Sequence, residues 1–461
     1  MNLAMKWSIW LVAIGLAVMT MIPCAIALPV NDDDFVLLDA TSLQQADAVP
    51  GEYLVQFRET PSWERIGNEL SERGVQVLQE YRETGLVQVK IPETARARIL
   101  DWIAARQDVE YIEPNYIMRI ATVPNDPLFP QLWGLQNTGQ NGGIPDADID
   151  APEAWDLATG SPSVVVAIVD TGVDYTHPDL AANIWTNPKE IPANGKDDDG
   201  NGYVDDIHGW NAIKNTGDPM DDNGHGTHCA GTIGGVGNNG KGVSGVNWNT
   251  RIVACKFLDK NGAGRLSDAV ECIDYADSLI DHGVSVRVHS YSWGALSGPR
   301  SLYNAINRAR SRGVLVAAAA GNSNVNMDRR FTRFYPASYN LDNIISVGAT
   351  DNKDNKASFS NFGKTYVDLG APGVDIWSTV PAIVPGATCS VADGCYASFS
   401  GTSMATPHVA GTAALYFGSN PGASYATAKS RILGGVDKKP ALTNYFATGG
   451  RLNAYRALVA S

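Results

Sequence analysis

Five almost unbroken apolar segments constrain the fold of this chain more than any other feature. Between them lie segments with helical periodicity, notably residues 267–282 and 301–312, each closed by a glycine. Strands without apolar/polar alternation are buried on both faces, which requires helices on either side of a parallel sheet. We therefore predict an α/β fold of three layers around a central, mostly parallel sheet, with the functional site at the carboxyl ends of its strands. The segments are 163–169 (SVVVAIV), 251–258 (RIVACKFL), 284–292 (VSVRVHSYS), 313–320 (GVLVAAAA) and 343–349 (NIISVGA).

A smaller unit precedes this region. Residues 50–120 predict strands and helices in the order β-α-β-β-α-β, which is typical of a small α+β domain. A polar linker over 28–49 comes before it. We predict that residues 28–121 hold the linker and this small domain, and that residues 122–461 form the larger domain.

The first 27 residues have the pattern of a secretory signal peptide. Lys6 is followed by an apolar run over 7–22 and by a small-residue pattern that ends at Ala27. The apolar run is nearly long enough for an uncleaved membrane anchor, but Pro23 and the small residues favour cleavage after Ala27. We expect export to the extracellular space or the periplasm and envelope, with membrane contact only through the cleaved signal.

Export would determine how many cysteines remain and whether they form disulfides. The sequence has 6, and loss of Cys24 with the signal leaves an odd number, so at least one thiol stays free. An oxidising compartment favours disulfides. The first candidate pair is Cys389 with Cys395, and a second is Cys255 with Cys272, which would leave Cys229 free; the sequence leaves the connectivity open.

Net charge excludes one class of partner. The chain has 35 Lys and Arg against 49 Asp and Glu, for a net charge of −14. Nucleic-acid binding requires an excess of basic residues, so it is not expected. With 44% hydrophobic and 18% charged residues, the chain is also neither disordered nor a membrane bundle.

Three reactive side chains stand where a strand ends or a helix begins. Asp170 ends the first apolar strand, His225 opens a helix-like segment, and Ser403 begins a helix after a Gly-Thr turn. A carboxylate, an imidazole and a hydroxyl are the parts of nucleophilic acyl transfer. Each alone has a structural explanation, such as helix capping, and His225 with His228 could bind a metal. Their joint occurrence in the order Asp, His, Ser favours a catalytic triad.

The segments around these residues resemble the subtilisin-like serine proteases, the subtilases or S8 family, over residues 122–461. The matching motifs are IVDTGVDYTHPDL, NGHGTHCAGT, AAAAGN, GTSMATPHVAG and GRLNAYRAL. The resemblance, of the thermitase- and proteinase K-like type, implies a subtilisin-like fold and serine endopeptidase activity on proteins and peptides. It implies Asp170, His225 and Ser403 as the triad and Asn322 as the side-chain donor to the oxyanion.

The same resemblance gives the small unit a role. Residues 50–120 resemble the inhibitory propeptide of the family, so we expect a zymogen that cleaves itself between about residues 119 and 124. The propeptide would be an intramolecular inhibitor, and the mature enzyme is expected to be a monomer.

Two loops are candidates for structural calcium. Residues 197–206 (DDDGNGYVDD) space oxygen ligands like the first half of an EF-hand, although His208 replaces the final Glu, and a solvated acidic turn is the alternative. The predicted ligands of this loop are Asp197, Asp199, Asn201, the Tyr203 carbonyl and Asp205 or Asp206, with Asp206 preferred. Resemblance to thermitase-like subtilases implies a second site formed by Asp126, Asp179, Asn239 and the carbonyls of Val236, Lys241 and Val243.

The resemblance also implies where a substrate binds. Ser292, Trp293 and Gly294 match the strand that pairs with an extended peptide, and Trp293 would form an aromatic wall. Phe334 falls at the floor of the primary pocket, which predicts small or medium apolar residues before the scissile bond. Two competing hypotheses are a metallohydrolase that uses Asp170, His225 and His228, and a peptide-binding pseudoprotease.

Overall fold

The computed structural model describes residues 48–116, 122–390 and 392–459. The predicted signal peptide, most of the linker and residues 119–121 of the predicted cleavage segment lie outside them. The described residues form two compact units, one on each side of residues 117–121.

The smaller unit has the predicted α+β organisation. The elements are β1 (Ala48–Phe57), α1 (Trp63–Ser71), β2 (Gln76–Tyr81), β3 (Leu86–Lys90), α2 (Arg96–Ala104) and β4 (Val109–Tyr116). The four strands form an antiparallel sheet in the order β2-β3-β1-β4. Alternate residues of β1, such as Val55, are buried with Ile66, Leu70, Ile99 and Ile103 of the two helices, because one face of the sheet is covered and the other is not.

The larger unit alternates strands and helices in its first half, as predicted. In order these elements are α3 (Ala151–Trp155), β5 (Gly160–Asp170), β6 (Gly209–Asn211), α4 (His225–Gly234), β7 (Asn249–Lys256), α5 (Leu266–Asp281), β8 (Val286–Tyr291), α6 (Arg300–Ser311), β9 (Leu315–Ala319) and β10 (Ile344–Thr350). The second half has β11 (Leu369–Pro372), β12 (Ile376–Val380), β13 (Thr388–Ser390), β14 (Gly394–Phe399), α7 (Thr402–Ser419), α8 (Tyr425–Gly434), β15 (Asp437–Lys438), β16 (Gly450–Arg451) and α9 (Ala454–Val459).

Nine of these strands form one sheet in the order β15-β16-β11-β10-β9-β8-β5-β7-β6. Every pairing is parallel except β15 with β16, which confirms the mostly parallel α/β prediction. In β5, Val166 and Ile168 belong to a core that includes residues of α4 and α7, whereas Val165 and Val169 belong to a core that includes residues of α5 and α6. The unit therefore has three layers, since successive side chains of a strand point to opposite faces.

The strand order determines where polar side chains meet. The neighbours β9, β8 and β5 are parallel, so their carboxyl ends lie at one edge of the sheet. Asp170 is the last residue of β5, Ser292 follows β8 and Asn322 comes three residues after β9. Distant parts of the chain thus meet at one edge.

Both predicted disulfides form, and the one other cysteine among the described residues is a buried free thiol. Cys255–Cys272 joins β7 to α5, Cys389–Cys395 joins β13 to β14, and Cys229 lies in α4. Within the described ranges, none of the helices has the length and hydropathy that crossing a membrane requires.

Candidate active site

A carboxylate and an imidazole are in direct contact at the carboxyl edge of the sheet. His225 Nδ1 lies 2.7 Å from Asp170 Oδ1. The Asp170 side chain is almost completely buried, whereas that of His225 is 26% exposed. This geometry fixes the orientation of the imidazole and leaves part of the ring accessible, as a general base requires.

The loop before α4 places His225 at the start of the helix. The buried Asp221 carboxylate accepts hydrogen bonds from Gly224 N (2.9 Å), Thr227 N (3.0 Å) and Thr227 Oγ1 (2.6 Å), which satisfies amides at the helix N-terminus. A Cβ atom on Gly226 would overlap the carbonyl oxygen of Gly172. The Gly after His225 is therefore required for close approach of the two segments.

A buried lysine that the sequence reasoning missed links the segments that carry Asp170 and His225. Lys256 Nζ donates to Thr171 O (2.6 Å), Leu258 O (2.8 Å) and Asp222 Oδ1 (2.6 Å). It thereby connects the end of β5, next to Asp170, with the loop that precedes His225. A lysine within an apolar strand carries no sequence signal for this contact, because the acceptors lie on separate segments.

The charge of Asp170 sets the protonation of His225. Burial acts to lower the pKa of His225, but the negative charge of Asp170 and its hydrogen bond, together with Asp221, outweigh that effect. The net result is a pKa raised above 6.5. His225 is thus a stronger base than an isolated histidine.

Ser403 is the second residue of α7 and the third member of the predicted triad. In this structure its hydroxyl donates to the carbonyl oxygen of Ser292, at 2.8 Å, and not to His225. The Ser403 carbonyl in turn accepts from Ser292 Oγ (2.9 Å) and from Cys229 Sγ (3.5 Å). Ser403 is therefore hydrogen-bonded to the candidate substrate-binding strand. Hydrogen bonds between catalytic residues often form fully only when substrate binds, so the absence of a bond from Ser403 to His225 does not argue against the triad.

Asn322 faces the same helix terminus. Its Oδ1 accepts from Thr402 N and from Thr402 Oγ1, both at 2.9 Å. Among the described residues Nδ2 has no acceptor, so its two N–H groups are available to a ligand. Thr402, which is fully buried and also accepts from Gly321 N (3.1 Å), is a functional residue that sequence reasoning missed. Its signal was present in the Gly-Thr-Ser motif.

The candidate substrate strand follows β8. Trp293 is anchored by its indole N–H, which donates to Val169 O at 2.7 Å, and its ring packs on Phe257 and Tyr291. Ala295 and Tyr335 exchange two backbone hydrogen bonds of 2.8 Å each. These contacts fix the position of residues 293–295.

Phe334 lies between two glycines at this position. A Cβ atom on Gly294 would overlap its ring, and a Cβ on Gly321 would come within 3.1 Å of it. Gly294 belongs to the substrate strand and Gly321 precedes Asn322. The phenyl ring therefore occupies the space between the two segments, where the primary pocket was predicted.

One candidate calcium site combines two buried carboxylates. Asp126 and Asp179 are 3% and 0% exposed, and Asn239 Nδ2 donates to Asp179 Oδ1 at 2.8 Å. Burial raises the pKa of Asp179 to about 7, and the charge of Asp126 adds to the effect. The predicted carbonyls of Val236, Lys241 and Val243 accept no hydrogen bond from the described residues. Buried carboxylates beside unpaired carbonyls are a donor set that fits Ca²⁺.

In the acidic loop the structure brings together two of the predicted ligands, Asp197 and Asp199, and a third carboxylate that was not predicted. The carboxylates of Glu190, Asp197 and Asp199 lie within 4.8 Å of one another, and Glu190 was missed because it precedes the loop. Asp206 lies deeper, bound to Tyr275 Oη (2.8 Å) and to Asn187 and Asn201. The Tyr203 ring packs on Trp210 and Tyr275, and the backbone N–H of Tyr203 donates to Asn201 Oδ1 (2.8 Å). Three converging carboxylates also fit a hard cation.

His228 does not join His225. Its Nε2 is 2.8 Å from the carbonyl oxygen of Ile376, its ring stacks on Phe399, and burial lowers its pKa to about 3. A neutral, fully enclosed imidazole with these partners is part of the core. The metallohydrolase hypothesis therefore loses one of its three ligands.

Comparisons with known proteins give matches for both units. Residues 161–449 match the model of the subtilase family, Peptidase S8, and residues 37–115 match that of the fervidolysin-like N-terminal prodomain. The chain is 37% identical to the thermophilic serine proteinase of Bacillus sp. strain AK1, over 89% of this chain and 88% of that protein. It is 38% identical to thermitase of Thermoactinomyces vulgaris, over 73% of this chain and 99% of that protein.

A solved structure gives the same result for the fold. A protease from Pseudoalteromonas arctica superposes with a TM-score of 0.58 and 30% identity, over 74% of this chain and 99% of that one.

Proposed function

Because this chain belongs to the subtilase family of serine proteases and carries an N-terminal prodomain of the fervidolysin type, we propose that it is an exported, calcium-stabilised endopeptidase made as a self-processing zymogen. The observation that supports the proposal is the 2.7 Å contact between His225 and Asp170 at the carboxyl end of β5, with Ser403 hydrogen-bonded to Ser292 after the neighbouring strand β8. The small domain is the intramolecular inhibitor, and the substrates are proteins and peptides.

The geometry supports the following reaction. A peptide pairs with residues 292–294, and its carbonyl carbon comes to Ser403 Oγ. His225 Nε2 takes the hydroxyl proton as the oxygen attacks, while Asp170 holds the imidazole and stabilises its charged form. The oxyanion accepts hydrogen bonds from Asn322 Nδ2 and the Ser403 backbone N–H at the start of α7. His225 then protonates the leaving amine, and water hydrolyses the acyl-enzyme by the reverse proton transfers.

Calcium has a structural part in this proposal. Asp126, Asp179 and Asn239, with the carbonyls of residues 236, 241 and 243, would hold one ion, and Glu190, Asp197 and Asp199 would hold another. The bound ion supplies charge that neutralises the carboxylates and fixes the loops around them. No chemical step passes through either site.

The pocket geometry narrows the substrate class. Because the Phe334 ring fills the space between Gly294 and Gly321, small side chains such as Ala are the ones that fit before the scissile bond. Specificity for larger apolar residues would require this ring to move.

The decisive experiment compares wild type with Ser403→Ala after expression of the full chain in an exporting host. Intact-mass analysis should show loss of the residues up to about position 120 in the wild type only, and a serine-directed phosphonyl reagent should label only the wild type. As a matched control, Ser400→Ala removes a nearby hydroxyl whose partners are the backbone N–H and the carboxylate of Asp375, and should leave processing intact.

The alternatives predict different results. Identical processing of wild type and Ser403→Ala would refute self-cleavage, and immediate loss of activity in chelator without phosphonyl labelling would favour a metallohydrolase. Binding of peptides without turnover in the processed wild type would indicate a pseudoprotease. Intact-mass analysis of the secreted zymogen form of Ser403→Ala also tests signal cleavage after Ala27.

A further inference from the structure

A disulfide closes a short hairpin in the larger unit. Cys389 of β13 pairs directly with Cys395 of β14, and the bond spans a sequence separation of 6. We call residues 388–390 and 392–399 the disulfide hairpin. Its residues 395 and 396 are hydrogen-bonded to residues 177 and 179, and Asp179 is a candidate calcium ligand. The disulfide therefore closes a segment that supports a candidate metal site.

Tyr396 of the hairpin touches two parts of that site. Its Oη donates to Asp179 Oδ2 at 3.2 Å, and the same hydroxyl contacts a carbonyl oxygen within the hairpin. A Cβ atom on Gly242 would overlap the Tyr396 ring, so the ring packs directly on the backbone there. The carbonyls of residues 241 and 243, on either side, are candidate ligands. Tyr396 therefore holds both a carboxylate and the loop that supplies carbonyl oxygens.

Cys395 itself is connected to the backbone of Asp179 through a buried imidazole. His177 Nδ1 accepts from Asp179 N (3.1 Å), so the ring proton lies on Nε2, which donates to Cys395 O (3.0 Å). His177 is 2% exposed, and its ring meets the Tyr396 ring edge-on, with 5.4 Å between centroids. A displacement of residues 395 and 396 would therefore move both the main chain and the carboxylate of Asp179.

The two disulfides differ in their accessibility to solvent. Cys389 is exposed, whereas Cys255 and Cys272 are 2% and 0% exposed. A thiolate must reach a disulfide sulfur in order to break the bond. The free thiol of Cys229 is also buried. Among the described cysteines, a reductant in solution therefore reaches the sulfur of Cys389 first.

We propose that the Cys389–Cys395 disulfide is a reducible site that controls the calcium affinity of the Asp126 and Asp179 site, with a small dithiol as the reacting partner. A thiolate of the dithiol attacks Cys389 Sγ, the bond between the two cysteines breaks, and Cys395 leaves as a thiolate that takes up a proton. The second thiol of the dithiol then closes its own disulfide and releases Cys389 as a thiol. Two electrons and two protons thus pass from the reductant to the hairpin.

Reduction removes a restraint on the outer partners of the ligands. Tyr396 and His177 hydrogen-bond to Asp179, and loss of such outer partners typically weakens metal binding 10- to 100-fold. We expect an effect of about tenfold, at the lower end, because the bond opens while both side chains remain. The chain would then bind calcium tightly only in a compartment that permits disulfides. This inference rests on the calcium site of the proposed function.

The test measures calcium binding by the full chain with Ser403→Ala, which prevents proteolysis when calcium is removed. Isothermal titration with Ca²⁺ alone gives Kd with and without dithiothreitol, and the binding step that is missing in Asp126→Ala belongs to this site. We expect reduction to raise that Kd about tenfold. Reduction should also lower Tm more in calcium than in chelator, whereas a disulfide that only stabilised the fold would lower Tm equally in both.

Alkylation followed by peptide mass analysis identifies the bond that dithiothreitol opens. We expect label on Cys389 and Cys395, with Cys255 and Cys272 still joined. The double variant Cys389→Ser with Cys395→Ser should have the weaker Kd permanently and should not respond to the reductant. Cys229→Ala is the matched control, because it removes the buried thiol and should retain the full response.

The outcomes separate the inference from the calcium site on which it rests. Equal Kd in the oxidised and reduced chains, label on Cys255 and Cys272 instead of the hairpin, or a response that survives in the double variant would overturn the inference and leave the calcium site standing. If the oxidised chain and Asp126→Ala bind Ca²⁺ identically, the calcium part of the proposed function is refuted and the inference with it.

Discussion

The ring of Phe334 allows a sharp prediction about specificity. From its position between Gly294 and Gly321 we expect that a large residue before the scissile bond has no room in the wild type. Phe334→Gly would open a space of about one phenyl ring. Burial of a phenylalanine side chain is worth about 1.5–3 kcal/mol. With about 1.4 kcal/mol for each factor of ten, the variant should gain about 10- to 150-fold for Phe relative to Ala at that position.

The assay measures kcat/KM for two chromogenic peptides that differ only in Phe or Ala before the scissile bond. We expect the wild type to favour Ala and Phe334→Gly to favour Phe. Phe334→Tyr keeps a ring in the same space and should retain the Ala preference, which separates pocket volume from general disturbance of the loop. Faster cleavage after Phe than after Ala by the wild type would refute the reasoning, because the ring would then not block the pocket.

Two further predictions concern protons and calcium. Since Asp170 keeps the pKa of His225 above 6.5, kcat/KM should fall as the pH drops through that raised pKa. Asp170→Asn should move this acidic limb of the pH profile to lower pH and reduce kcat by a factor on the order of 10⁴. An acidic limb at unchanged pH in the variant would contradict the assignment. Removal of calcium should lower Tm by on the order of 10 °C, because binding at a thousandfold excess over Kd contributes about 4 kcal/mol to the free energy of unfolding and each kcal/mol shifts Tm by about 2–4 °C. Asp126→Ala should reproduce this loss of Tm in differential scanning calorimetry. In that variant a chelator should have little further effect at the site.

Much of the fold could be predicted because its main strands and helices have distinct local patterns of apolar residues. The apolar segment that ends at Asp170 has the length and continuity of a buried parallel strand, and the structure confirms it as β5. The helices over 267–282 and 301–312 appear as α5 and α6 with bounds that differ by one residue. The antiparallel β12-β14-β13 sheet was not predicted, because its pairing depends on contacts that the sequence pattern does not contain.

The candidate site was predictable only where motifs mark it. Asp170 and His225 stand in distinctive segments, and their contact confirms that the segments meet. Glu190 was missed because its convergence with Asp197 depends on the path of the intervening loop. Lys256 was missed for the same reason, since its three acceptors come together only in three dimensions. The orientation of the Ser403 hydroxyl also depends on its surroundings, not on the motif.

The position of α7 has a consequence for biosynthesis. This helix packs against β5, β8, β9 and β10, and it supplies Ser403 from the last part of the chain. A ribosome makes Asp170, His225 and Asn322 first, and domains fold as their residues emerge. Until about residue 419 has been synthesised, α7 is incomplete and Ser403, the proposed nucleophile, has no folded position. We therefore expect an unfinished copy of the chain to be inactive as a protease.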